Sequence, residues 1–193
     1  MTGLICPICE QHGSSPGKCS CLSNNYPFKG FAALCFYEKH WRDLLHDLKY
    51  RKKRSLARPL GAWLGREIDA QTNFNPTIIT PIPLHKERKK ERGFNQSELL
   101  ARSAAKVLGI PCDNLLERTR NTPSQTLVSR RERRDNISGA FRCRKKIGKN
   151  DIVLLVDDIY STGSTMKEAA SVLKKQGATV FAAAVAYNRR HRF

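Results

Sequence analysis

Apolar residues in this 193-residue chain alternate between continuous runs and helical spacings, which is the pattern of an α/β protein. Continuous apolar or β-branched runs predict buried strands over residues 31–37, 77–80, 152–156 and 179–187. Helical spacing and turn signals predict helices over residues 41–50, 55–68, 96–109 and 166–176. Alternation of this kind predicts a parallel sheet flanked by helices.

The strongest chemical signal is the stretch I-V-L-L-V-D-D-I-Y-S-T-G-S-T, in which a buried strand leads to an acid pair and a turn. Asp157 and Asp158 follow the strand. Carboxylates in this position suit two neighbouring ring hydroxyls of a sugar, from which they would accept hydrogen bonds. Small residues then turn the chain into a helix: Ser161, Thr162, Gly163, Ser164 and Thr165. The first amides of a helix lack intrahelical partners and attract phosphate. The stretch therefore predicts a site for a ribose 5-phosphate.

Other phosphate-binding loops fit this stretch less well. The turn has no lysine for a G-x-x-x-x-G-K-[ST] loop, and the chain contains no G-x-G-x-x-G. A plain strand, turn and helix with a solvated aspartate pair is the remaining alternative.

A second group of charged residues follows the strand at 77–80, in the segment P-I-P-L-H-K-E-R-K-K-E-R-G-F-N-Q. In an open α/β sheet, ligands bind beyond the carboxyl ends of the strands. We therefore predict that the cations of this segment, among them His85, Lys86, Arg88 and Arg92, face the diphosphate of the same phosphosugar. For Lys89 and Lys90, a solvated run of charges is the alternative.

The chain is strongly basic, with 35 Lys and Arg against 17 Asp and Glu and a net charge of +18. This balance favours a polyanionic partner, with a solubilising basic surface as the alternative. Many of the cations lie in residues 118–146, which we interpret as a mobile hood or loop with a strand near residues 140–142. No apolar run approaches the ~20 residues of a membrane span and the N-terminus lacks a hydrophobic signal core, so we expect a cytoplasmic protein.

Four cysteines, Cys6, Cys9, Cys19 and Cys21, crowd the start of the chain. In a reducing compartment such a cluster indicates a metal, and four thiolates on two tight turns suit a tetrahedral Zn²⁺. The second turn is C-x-C, shorter than C-x-x-C, so His12 is an alternative ligand, and unpaired thiols are the alternative to a metal site. We predict a zinc-ribbon-like module over residues 1–26 and one main domain over residues 27–193.

Three segments together resemble the ComF/GntX family: the four-cysteine segment, P-x-P-L-H-K…R-G-F-N-Q, and R-T-R-x-T-x-x-Q…R-x-x-N-x-x-G-A-F leading to V-D-D-I-Y-S-T-G-S-T. The last part also resembles the 5-phosphoribosyl-1-pyrophosphate (PRPP) signature of type I phosphoribosyltransferases. The resemblance covers essentially the whole chain and implies their fold, a parallel sheet flanked by helices, with a small zinc ribbon. It implies that these family positions line or support the site: Arg92, Asn95, Gln96, Arg118, Thr122, Gln125, Arg130 and Asn136.

The family is associated with natural competence, in which imported single-stranded DNA is handled in the cytoplasm. The resemblance thus implies a PRPP-binding protein of DNA handling, with competence proteins such as a helicase as further partners. The alternative is an active phosphoribosyltransferase that uses Asp157 and Asp158 as catalytic residues and transfers ribose 5-phosphate to an unidentified acceptor. In either case Mg²⁺ would bridge diphosphate and sugar hydroxyls. We expect DNA phosphates to contact Arg130, Arg131, Arg133, Arg134, Arg189 and Arg190.

Overall fold

Five strands form the central sheet, which we describe from a computed structural model covering residues 3–4, 26–70, 75–121 and 137–188. Its strands, in chain order, are β1 (Gly3–Leu4), β2 (Phe31–Phe36), β3 (Ile78–Pro81), β6 (Ile152–Tyr160) and β7 (Thr179–Tyr187). They lie in the order β1-β2-β7-β6-β3, with β1 antiparallel to β2 and the other neighbours parallel. The predicted parallel sheet is confirmed.

Helices cover both faces of this sheet. They are α1 (Lys39–Tyr50), α2 (Ala57–Asp69), α3 (Lys86–Arg92), α4 (Gln96–Leu108) and α5 (Ser164–Lys175), with a 3₁₀ turn at Arg54–Leu56. One core packs α1, α2 and α4 against one face of the sheet, and a second core packs α5 against the other. Strands buried on both faces need apolar residues at every position, which explains the continuous runs in the sequence.

Helix α4 shows how local signals set its ends. The Asn95 side chain accepts a hydrogen bond from the Ser97 amide at 3.1 Å and caps the first turn. Gly109 ends the helix with a φ of 67°, in the left-handed region that suits glycine. The predicted helix over 96–109 is confirmed, and its first residues are thereby held next to β6.

Strand β6 is longer than the sequence predicted, and the acid pair lies inside it. β3 stops where Pro81 pairs with Val156, but β7 continues to pair with β6 as far as Tyr160. The expectation that Asp157 and Asp158 follow the end of the strand is therefore wrong. The carboxylates lie on a strand that runs past its shorter neighbour, because β7 still supplies backbone partners there.

Two segments contain ordered elements that the sequence analysis did not predict. Helix α3 forms directly after β3, and the His85 side chain caps it by accepting a hydrogen bond from the Glu87 amide at 3.4 Å. The ends of the predicted hood form two antiparallel strands, β4 (Leu116–Arg118) and β5 (Phe141–Cys143), which we term the hood hairpin. Its residues Leu116 and Phe141 are buried in the same core as α5. The strand predicted near residues 140–142 is confirmed one position further along.

Several predicted functional residues lie outside the described residues. They are the zinc ligands Cys6, Cys9, Cys19 and Cys21, the hood residues Thr122, Gln125, Arg130, Arg131, Arg133, Arg134 and Asn136, and the tail residues Arg189 and Arg190. Across residues 26–70, 75–121 and 137–188, no group of three or more His, Cys, Asp or Glu side chains could hold a metal ion. Within the same ranges, no helix is both long and apolar enough to cross a membrane.

Candidate functional site

A cavity of about 470 Å³ opens where β3, β6 and β7 end. We term it the β6 cavity. The acid pair and the whole predicted turn, residues 157–158 and 161–165, line it together. Four basic side chains line it as well: Lys49, Arg88, Arg92 and Arg118. The cavity thus combines carboxylates suited to sugar hydroxyls with cations suited to phosphates.

The carboxylate of Asp157 is held by two hydrogen bonds to the same oxygen. Ser97 Oγ donates to Asp157 Oδ1 at 2.7 Å, and the Asp158 amide donates to it at 2.9 Å. Ser97 lies in the first turn of α4, so the Asn95 cap that starts this helix also places the hydroxyl. The second oxygen, Oδ2, keeps further capacity to accept hydrogen bonds.

The carboxylate of Asp158 is buried and paired with a lysine. Lys49 Nζ lies 2.8 Å from Asp158 Oδ2, and the side chains are 19% and 3% exposed. Lys49 belongs to the last turn of α1, a helix whose apolar residues Leu45 and Leu48 pack in the core beneath the cavity. Because α1 packs in this core, the Lys49 ammonium is held beside the acid pair.

Burial and neighbouring charges shift the protonation of Asp157 and of Lys49. Burial, and then the neighbouring Asp158 carboxylate, raise the pKa of Asp157 to about 7, against the opposing effects of Lys49 and Ser97. Burial alone would lower the pKa of Lys49, but the Asp158 carboxylate outweighs it and raises that pKa. Lys49 is therefore a cation at neutral pH, whereas Asp157 is poised between its two forms.

The turn after β6 ends in a glycine that no other residue can replace without strain. Gly163 has a φ of 76° and precedes α5, which begins at Ser164. A Cβ on Gly163 would lie 2.2 Å from the Tyr160 hydroxyl oxygen, so the ring of Tyr160 occupies the space beneath the turn. Thr162 and Ser164 link their hydroxyls at 3.0 Å. The start of α5 is thereby fixed at the cavity wall, where its amides favour an anion.

The arginines of the β6 cavity are held by their neighbours. Arg92 Nη1 donates to Gln96 Oε1 at 2.5 Å, and its guanidinium lies 5.5 Å from the ring centre of Tyr50. The guanidinium of Arg118 lies 5.6 Å from the ring centre of Phe141. Burial, followed by the nearby Arg88, lowers the pKa of Arg118 to about 10, so it stays charged at neutral pH.

A second cavity, also of about 470 Å³, adjoins the first and shares Leu84 and Arg118 with it. We term it the hood cavity because the hood hairpin forms one wall. His85 and Lys86, which the sequence placed on the diphosphate, line this hood cavity. His85 is buried as the cap of α3. Of the cations predicted from this segment, Arg88 and Arg92 line the β6 cavity, whereas His85 and Lys86 do not.

Sequence reasoning missed Lys49 and Ser97. Lys49 lies on the polar side of a helix predicted only to pack against the core, and Ser97 directly follows the family positions Asn95 and Gln96. Neither carries a spacing signal toward Asp157 or Asp158, because both contacts join segments far apart in the chain. The run N-Q-S at the start of a capped helix is the only local hint, since the first turn of such a helix faces the end of a strand.

Direct Mg²⁺ coordination by the acid pair does not fit this arrangement. Mg²⁺ takes six oxygen ligands, usually one or two carboxylates with waters and substrate phosphates. Here Asp158 Oδ2 faces the Lys49 ammonium, and Asp157 Oδ1 already accepts two hydrogen bonds. A divalent ion bound to Asp158 Oδ2 or to Asp157 Oδ1 would have to displace these donors.

Comparisons with known proteins agree with this geometry. The family model described as Phosphoribosyl transferase domain matches residues 95–192, about half of the chain. DNA utilization protein YhgH of Salmonella typhimurium is 33% identical over 181 residues, 90% of this chain and 79% of that protein. The chain belongs to the ComF family. The fold expected from the resemblance, that of type I phosphoribosyltransferases, is therefore confirmed for the main domain.

Two further ComF relatives carry competence in their names. Competence protein F of Haemophilus influenzae is 37% identical over 107 residues, 53% of this chain and 46% of that protein. Competence protein ComFC of Bacillus subtilis is 25% identical over 186 residues, 92% of this chain and 74% of that protein. Among solved structures, adenine phosphoribosyltransferase from Leishmania tarentolae is similar over 79% of this chain and 76% of that chain, with a TM-score of 0.47 and 16% identity.

Proposed function

We propose that this ComF-family protein binds PRPP in the β6 cavity. The observation that carries the proposal is that the acid pair, the turn at Gly163 and four cations line one cavity. The start of α5 would hold the 5-phosphate, and Asp157 and Asp158 would accept hydrogen bonds from the ribose hydroxyls. Arg88, Arg92 and Arg118 would face the diphosphate, which would bring its own Mg²⁺.

Calorimetry with PRPP and Mg²⁺ tests this assignment on the Asp157→Asn/Asp158→Asn double variant. Loss of two charge-assisted hydrogen bonds is expected to cost on the order of 3 kcal/mol, about a hundredfold in affinity. The Asp43→Asn variant is the control, because that carboxylate lies on α1 with its side chain 75% exposed. Equal affinity of the double variant and the control would contradict the proposal.

An active phosphoribosyltransferase is the second candidate. It is favoured by the hood cavity, which adjoins the β6 cavity through Leu84 and Arg118 and offers room for an acceptor beside the sugar. Transfer would break the bond between ribose C1 and diphosphate, with the cations stabilising the leaving group. Phosphorus NMR of the protein with PRPP, Mg²⁺ and a panel of bases or DNA would detect released diphosphate. No release with any acceptor would leave binding as the function.

We further propose a role in handling single-stranded DNA, supported by the net charge of +18 and by the names of the relatives. In the described part of the chain, the hood hairpin and the loop after it present exposed cations. Arg142, Arg144 and Lys145 have side chains that are 72%, 55% and 58% exposed, although each pairs with the carboxylate of Glu117 or Asp113. A phosphate backbone would compete with these carboxylates for the exposed cations, and we expect Arg130, Arg131, Arg133 and Arg134 to contact DNA phosphates as well.

A structural Zn²⁺ on Cys6, Cys9, Cys19 and Cys21 is part of the proposal, supported by the spacing of these residues in the sequence. Metal analysis of the purified protein is expected to give about one Zn²⁺ per chain, absent from the Cys6→Ser/Cys9→Ser variant. A metal-free protein with a folded N-terminus would refute it.

A further inference from the structure

The Lys49 side chain is largely buried in the wall of the β6 cavity, beside the acid pair. Its ammonium lies 2.8 Å from Asp158 Oδ2, and only 19% of the side chain is exposed. Lysine is seldom buried, because removing an ammonium from water is costly unless a partner compensates it. Asp158, with a side chain 3% exposed, is that partner.

The position of Lys49 is also fixed by the packing of α1 in the core. It follows the buried Leu45 and Leu48 on α1, and this helix packs in the core with β6. On the other side, Ser97 of α4 holds the Asp157 carboxylate at 2.7 Å. The acid pair is therefore held between two helices, one supplying a cation and the other a neutral donor.

We propose that the Lys49 ammonium serves as the internal counter-cation of the acid pair, taking the position on Asp158 that a divalent ion would occupy. This makes Lys49 a positioning residue: it holds the Asp158 carboxylate in place without a metal. For the sugar ligand the inference rests on the proposed function. Binding of a phosphosugar that lacks diphosphate is then independent of Mg²⁺, whereas PRPP depends on Mg²⁺ only through its diphosphate.

An ordinary buried ion pair would stabilise the fold in the same way, so stability alone does not test the proposal. The distinguishing property is the response to divalent ions, because a purely structural lysine has no reason to control it. Removing the ammonium leaves two adjacent carboxylates without a cation at close range. A divalent ion is then the species best suited to neutralise them.

The first arm of the experiment uses Mn²⁺ alone on the ligand-free protein at pH 8, measured by electron paramagnetic resonance of the free ion. The natural protein is expected to show no Mn²⁺ site that depends on Asp158. The Lys49→Met variant is expected to gain such a site, with Mn²⁺ binding stronger by about tenfold or more, and Lys49→Met/Asp158→Asn to lose it. Lys49→Gln replaces Lys49→Met if the latter does not fold.

Two controls accompany this arm. Lys49→Arg keeps a cation and is expected to behave like the natural protein. Lys53→Met removes a lysine whose side chain is 55% exposed and pairs with Asp47, away from the acid pair. It is expected to change nothing. An Asp158-dependent Mn²⁺ site in the natural protein, or none in the folded Lys49 variants, would overturn the inference whether or not a phosphosugar binds.

The second arm titrates ribose 5-phosphate with either Mg²⁺ or a chelator present. The natural protein is expected to have the same affinity in both, whereas Lys49→Met binds about tenfold more weakly in chelator and recovers in part with Mg²⁺. Loss of natural binding in chelator would overturn the inference while supporting the phosphosugar site. Failure to bind either ribose 5-phosphate or PRPP would instead refute the proposed function, and the Mn²⁺ arm would still decide the role of Lys49.

Discussion

The β6 cavity and the hood cavity have the same volume, about 470 Å³ each, but they are built in different ways. The β6 cavity lies on β6 and β7, strands of nine residues each, and its acids are held by buried donors. The hood cavity lies beside two strands of three residues each. Its charges are long side chains at the surface, such as Lys89 with a side chain 54% exposed.

The difference separates two kinds of recognition. Fixed donors and a fixed glycine turn in the β6 cavity suit one small ligand, because little ordering is left to occur on binding. Exposed lysines and arginines around the hood cavity suit a polyanion, whose phosphates are bound through charge and with little demand on geometry. The following experiments test this separation, beginning with the largest expected effect.

Gly163→Ala is expected to destabilise the protein by about 3 kcal/mol, from the left-handed backbone and the overlap with Tyr160. The matched control is Gly109→Ala at the end of α4, which has a similar φ of 67° but no heavy atom within 4 Å of its Cβ. That change is expected to cost about 1 kcal/mol. Urea unfolding of both variants measures the difference. Equal losses in the free energy of unfolding would show that the Tyr160 ring does not hold the turn rigidly.

Replacing Arg130, Arg131, Arg133 and Arg134 with Ala is expected to flatten the salt dependence of single-stranded DNA binding. The slope of log affinity against log salt would fall by up to about 3 units, at roughly 0.7 for each phosphate that the variant no longer neutralises. PRPP affinity is measured in parallel, because the family resemblance also places Arg130 at the site, whereas the described wall of the β6 cavity is formed by other residues. Polarisation titrations at several salt concentrations measure the first quantity and calorimetry the second. A parallel loss of PRPP affinity would show that these arginines contribute to PRPP binding as well as to DNA binding.

The pH dependence of stability is expected to differ in sign between Asp157 and Asp113. The pKa of Asp157 is raised to about 7, so between about pH 4 and 7 the folded chain holds a proton that the unfolded chain releases. Its contribution to the free energy of unfolding therefore falls as pH rises through that window, on the order of 1 kcal/mol per pH unit. Lys145 lowers the pKa of Asp113, whose contribution is instead lost as pH falls below about 4.

Denaturant unfolding of the natural protein, Asp157→Asn and Asp113→Asn from pH 3 to 8 measures both contributions as differences. Other titrating groups cancel between the natural protein and each variant as long as they do not contact the changed residue. The same sign for both residues would show that Asp157 is not in a desolvated site.

Arg142→Ala is expected to change the free energy of unfolding by less than about 0.5 kcal/mol. Arg142 pairs with Glu117 across the hood hairpin, but its side chain is 72% exposed, so water competes for both charges. Thermal or urea unfolding checks this. A cost comparable to that of Gly163→Ala would mean that the hood hairpin is as rigid as the β6 cavity.

The parts of the fold that could be predicted from the sequence are those with local causes. Apolar runs located the sheet strands around residues 152–156 and 179–187, and the Asn95 and Gly109 signals located the ends of α4. The grouping of Asp157 with the Gly163 turn was predicted because the two are close in the chain. Helix α3 was missed because a run of charges carries no apolar periodicity, although His85 caps it.

The acid pair separates features that follow from neighbouring residues in the sequence from features that depend on contacts between distant segments. The sequence determined that two carboxylates and a glycine turn follow a buried run, because strand propensity and the left-handed turn are properties of neighbouring residues. Only the tertiary structure decided that the strand continues through the pair, that Ser97 and Lys49 hold it, and that His85 and Lys86 line another cavity. Those outcomes depend on the lengths of neighbouring strands and on how two helices pack over the sheet. Contacts of that kind join residues 60 and more than 100 positions apart, for which no local pattern exists.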